Sequence, residues 1–167
     1  DSAWSQIVSN GNDAPDVIHN FQTDHDFISL QGALHNSTVV GDLNGLVGWG
    51  SGEDAAPFDL SNDEYGLVVS QVSTLCVDEL GDAEKVADLL GSLFSFTGTQ
   101  DNAERNTSIF AITAQDDPSV TAIWAHQQAS ACDDTVEAIE LYQLAVVHTR
   151  GDEFGLHSFD PQPEMPV

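Results

Sequence analysis

The sequence predicts an α+β fold: a mainly antiparallel β-sheet with two packed helices, at about 82–94 and 134–144. Three observations lead there. Short β-prone runs punctuated by Asp, Asn and Gly recur along the chain, among them DVIHNF (16–21), FISL (27–30), LVVSQVSTLCV (67–77), SIFAIT (108–113) and VTAIWAH (120–126). Val86, Leu89, Leu90 and Leu93 fall at i, i+3, i+4 and i+7, the single apolar stripe of a helix. Asp134 and Glu137 have capping-box spacing ahead of Ile139, Leu141 and Leu144.

In chain order, a short strand is expected at 4–8, followed by a Gly/Asn/Asp turn. DVIHNF and FISL then flank the TDHD turn at 23–26, with another short strand at 38–40. Residues 41–64 are rich in Gly and Asp with little periodicity and read as ordered loop. Asp82 is placed to cap the first helix, and Gly91 inside it marks a close approach by another element. The runs 108–113 and 120–126 form a hairpin that leaves Pro118 in its loop, outside the ladder. The second helix gives way to VVHT (146–149). The organisation is one domain over 1–160, then an extended Pro-rich tail at 161–167.

Charge narrows the function. There are 28 acidic residues against 3 basic ones, a formal charge of -25 over 167 residues, of which 41% are apolar. Such a chain folds, but it lacks the clustered Lys and Arg that a phosphate backbone requires, so nucleic acid is excluded. No apolar run is long enough to span a bilayer as a helix, so membrane insertion is not expected. The start at Asp1, without Met or a signal-like segment, suits a processed product or a piece of a longer chain. Repulsion among so many carboxylates calls for high salt or divalent cations, and Ca2+ is the hard partner of oxygen ligands.

Two acidic clusters are candidate calcium ligands. The first comprises Asp13, Asp16, Asp24 and Asp26 around two turns, with Asn10 and Asn12 adding side-chain carbonyls. The second comprises Asp133, Asp134, Glu137 and Glu140. The bland alternative is that these residues cap turns and a helix start. Trp49, bracketed by glycines, is a candidate interface residue; Trp124 reads as sheet packing. Cys76 and Cys132 leave one disulfide or none. The six histidines show no metal-ligand spacing, and no nucleophile motif occurs, so no catalysis is expected.

The stretch NGNDAPDVIHNFQTDHDFISLQGAL resembles the exit from RTX (hemolysin-type) calcium repeats, a D-x-I-x-x-F-x-x-x-x-D-x-I-x-L strand pair. Asp16, Ile18, Phe21, Asp26, Ile28 and Leu30 hold those places. The RTX-exit-like segment is placed at 9–30, within which the strand-pair positions run from 16 to 30. The Gly usual before the second Asp is replaced, by Asp24 or His25, and no full G-G-x-G-x-D nonapeptide is present. The later stretch resembles the bluetail-like C-terminal domain of type I-secreted proteins, with Asp133, Thr135, Val136, Glu140, Leu141, Leu144 and Val147 matching D-x-T-V-x-x-x-E-L-x-x-L-x-x-V. The resemblance implies a non-catalytic, calcium-responsive module at the end of an exported protein, at an extracellular or cell-surface location, with a type I exporter as a partner. The alternative is an acidic structural or accessory subunit that binds other protein chains in a surface or extracellular assembly.

Overall fold

The computed structural model describes residues 14–29, 39–40, 56–59, 66–97, 107–128 and 135–160. Its strands are β1 (Asp16–Phe21), β2 (Ile28–Ser29), β3 (Val39–Val40), β4 (Ala56–Asp59), β5 (Gly66–Val72), β6 (Phe94–Thr97), β7 (Thr107–Thr113), β8 (Val120–Gln127), β9 (Leu141–Thr149) and β10 (Phe159–Asp160). One α-helix, α1 (Ala83–Leu93), lies between β5 and β6, and short 3-10 turns occupy Val77–Glu79, Ala138–Glu140 and Leu156–Ser158. The main sheet has six strands in the order β1-β9-β8-β7-β5-β3, and two two-stranded ribbons, β10-β2 and β4-β6, accompany it.

Sequence-local hairpin pairing builds the middle of the sheet. β7 and β8 pair antiparallel from Thr107↔Gln127 to Thr113↔Thr121, and β8 pairs antiparallel with β9. The flanking pairs, β1 with β9, β5 with β7 and β3 with β5, run parallel. β7 and β8 are apolar on both faces because both faces are covered, as in a central strand of a layered sheet.

On one face, α1 lays Val86, Leu89, Leu90 and Leu93 over Phe110, Ile112, Val120, Ala122 and Trp124. Asp82 caps it, its Oδ1 accepting from the amides of Glu84 and Lys85 at 3.1 and 3.4 Å. Lys85 reaches back to Glu79, and that contact, with the Cys76 amide, holds the Glu79 carboxyl below its ordinary range. On the other face, Phe21, Ile109, Ala111, Ile123, Ala125, Ala145 and Val147 pack with Phe154 and Phe159, which the C-terminal segment folds beneath the sheet. Phe154 and Phe159 meet edge to face, centroids 5.4 Å apart, an arrangement that aromatic quadrupoles favour.

Two expectations need correction. The helix expected at 134–144 does not form. The chain makes a single 3-10 turn at Ala138–Glu140 and then enters β9 at Leu141. A ladder position between β8 and β1 satisfies the backbone of 141–149 on both sides, whereas a helix there would leave two strand edges unpaired. The two-helix layer is therefore a one-helix layer. The loop expected over 41–64 contains a strand, because Ala56–Asp59 pairs parallel with Phe94–Thr97. The rest of that loop, the strand at 4–8 and the tail at 161–167 lie outside the described residues.

Candidate functional site

The first acidic cluster divides along β1. Asp16 starts the strand, exposed, while Asp24 and Asp26 sit in the turn beyond its far end. Six residues of strand separate those ends by roughly 16–20 Å, too far for one ion to bridge. In the turn, Asp26 Oδ2 accepts from the Gln22 amide at 2.8 Å, and the Asp26 amide donates to the Gln22 carbonyl at 2.7 Å. Asp24 Oδ2 lies 3.4 Å from His25 Nε2. Asp26 thus closes its own turn, as short acidic side chains do, and Asp24 remains on an exposed surface. Asp13 lies outside the described residues.

The second cluster also separates. Glu137 is exposed, while Glu140 turns inward and is 4% exposed. Glu140 Oε2 accepts from the Glu137 amide at 3.2 Å, so it closes the 3-10 turn. The same oxygen lies 3.2 Å from Nε2 of His126, which is wholly buried on β8. A buried carboxylate needs such a partner, since an unpaired charge there carries a large desolvation cost. Asp133, Asp134 and Trp49 lie outside the described residues. Trp124 is buried, its Nε1 donating to the Leu80 carbonyl at 3.0 Å.

Cross-strand register places Ser108 opposite His126. Serine, histidine and glutamate then stand in a row, the composition of a nucleophilic relay. The geometry of one is missing: Ser108 Oγ is buried and makes no hydrogen bond, so nothing polarises it, and all three residues are sealed from solvent. The Glu140–His126 contact ties the Ala138–Glu140 turn to β8.

Two histidine pairings lack any sequence-spacing signal. His126 meets Glu140 through a turn, and His19 stacks on His148 across β1 and β9. The first had one readable clue: alternation in VTAIWAH puts His126 on the face of Trp124 and Ala122, inward, where a buried ring needs hydrogen-bond partners. The second depended on the β1–β9 pairing, which a misassigned helix conceals.

Among the described residues, no group of three or more His, Cys, Asp or Glu is placed to hold a metal. Cys76 carries a free, half-buried thiol, with Gln115 Nε2 3.5 Å from its Sγ, and Cys132 lies outside the described residues. Among those residues no helix is long and apolar enough to cross a membrane. No protein-family model, curated protein or solved structure matches this chain.

Proposed function

We propose that this chain is a non-catalytic, calcium-responsive folding and delivery module, the extracellular or cell-surface end of a type I-secreted protein, with a type I exporter as its partner. The observation that carries the reading is where the motif residues go. In the 16–30 segment, Phe21 is buried under the sheet, Ile18 and Ile28 pack partly buried beside it, and Asp26 closes the turn between β1 and β2. In the later segment, Val136 meets α1, Glu140 pairs with His126, and Leu141 and Val147 enter opposite cores. A signature made of core positions and turn caps specifies a fold, which is what a delivery module needs. A catalytic signature would converge on an accessible pocket.

Calcium enters through charge. An ion bound only by the folded chain stabilises it by RT ln(1 + [L]/Kd), roughly 2.7 kcal/mol at a hundredfold excess over Kd. Thermal unfolding in millimolar CaCl2, in MgCl2 and in EDTA, at one NaCl background, tests this. Mg2+ has the same charge but requires a small octahedral site. The expected result is an increase of several degrees with calcium alone. Specific binding should also saturate as CaCl2 is raised, whereas general screening should not distinguish Ca2+ from Mg2+. Equal melting in all three solutions would overturn the calcium assignment. The acidic accessory subunit would then lead, a reading favoured by Val17 and Phe27, 55% and 53% exposed, and by β1 at the sheet edge.

A further inference from the structure

We infer that His19 and His148 form a two-imidazole site for a borderline divalent transition cation, Cu2+ in preference to Ni2+ or Zn2+. The rings leave adjacent parallel strands one register step beyond the Ile18↔Val147 pair, and they stack with centroids 5.0 Å apart and 22° between planes. Neighbouring strands lie about 4.7–4.9 Å apart, so the parallel β1–β9 pairing, with its register shift just after Ile18, brings the two side chains within reach of each other. His19 is exposed and His148 half-buried, which lets either ring rotate about χ2 without disturbing a core. Imidazole–metal bonds of about 2.0–2.1 Å need two ring nitrogens roughly 3 Å apart, so the rings must turn from the stacked arrangement to share one ion.

The surroundings favour a cation. Asp117, in the β7–β8 loop, adds a carboxylate to the exposed surface of the same protein, its Oδ1 held by the Ser119 hydroxyl and amide at 2.6 and 3.1 Å. Arg150, exposed just past the end of β9, is the nearest opposing charge in sequence. The formal charge of -25 concentrates cations around the whole molecule. Among the described residues, no third His, Cys, Asp or Glu completes a coordination group. With only two imidazoles selecting, the order of intrinsic affinity decides, and Cu2+ stands highest. Ca2+, which takes oxygen ligands, does not compete, so this site stands or falls independently of the calcium response.

The test titrates the full chain with CuCl2 in a weakly coordinating buffer containing millimolar CaCl2, which occupies carboxylates. Electron paramagnetic resonance of the first equivalent should show coupling to two imidazole nitrogens. His19→Phe and His148→Phe keep a ring in the stack; each should leave one coupled nitrogen and weaken binding roughly tenfold or more through loss of chelation. Paramagnetic broadening of histidine signals in the unaltered protein needs no variant, and His19 and His148 should broaden first. A spectrum of oxygen ligands alone, a two-nitrogen spectrum that survives either substitution, or earlier broadening of His25 or His157 would overturn the site.

Discussion

Glu140 shows how one residue can satisfy a sequence pattern for a different physical reason. Its place in an acidic run suggested a calcium ligand, yet the side chain points inward, to the Glu137 amide and to His126. Truncating Glu140 removes its contacts with the Glu137 amide and with His126, and buried hydrogen bonds to a charged group contribute about 1.5–3 kcal/mol. Glu140→Ala should therefore lose stability in that range by urea denaturation. Glu140→Gln should lose less, because an amide oxygen can still accept from the Glu137 amide. A loss for Glu140→Ala below about 1 kcal/mol would mean that His126 finds other compensation and the pair is not a fold determinant. The inward face of His126 was legible in the alternation of VTAIWAH. Its partner was not, because a turn and a strand start had to form first.

At the scale of elements, α1 was legible and β9 was not, and the difference lies in what each satisfies alone. The α1 stripe has helical period only, with Val86 and Leu90 fully buried, and its cap lies beside it in sequence. The run 136–147 has apolar residues at spacings that serve either a helix or a strand, and the choice depends on β8 and β1, which flank it. β1 carries the same lesson on a smaller scale. Ile18 and Phe21 are three apart, out of step with strand alternation, yet both join the core beneath the sheet. A register shift between them reconciles the two, with Asn20 at φ 57 in the left-handed region that Asn tolerates. Asn20→Gly should be nearly neutral. Asn20→Val should cost about 1–3 kcal/mol, since a β-branched side chain is strained there. Denaturation curves for the two variants decide it; equal stability would show that the shift survives without a left-handed residue. The same shift leaves His19 beside His148, so a local backbone device positions the proposed copper ligands.

For the whole molecule, the two cores and the net charge act in opposite directions. Apolar side chains are buried on both faces of the sheet, while 28 carboxylates against 3 basic groups repel one another across its surface. Monovalent salt separates the signs of the electrostatic contributions. Raising NaCl from about 10 to 150 mM shortens the screening length from about 30 to 8 Å, which removes much of the long-range repulsion. The same salt weakens attractive surface contacts such as Lys85–Glu79, but exposed pairs of that kind contribute little to begin with. Repulsion should therefore dominate. The melting temperature in EDTA should rise by several degrees over that interval, each kcal/mol corresponding to roughly 2–4 °C for a chain of this size. Most of the rise should come at the low end, because the screening length falls as the inverse square root of ionic strength. A flat or falling curve by calorimetry would mean that the carboxylates are already compensated pairwise within the fold, and the charge argument for a cation requirement would lose its basis. A rise that levels off near physiological salt, with a further increment from calcium added on that plateau, would separate general screening from ligation in one protein.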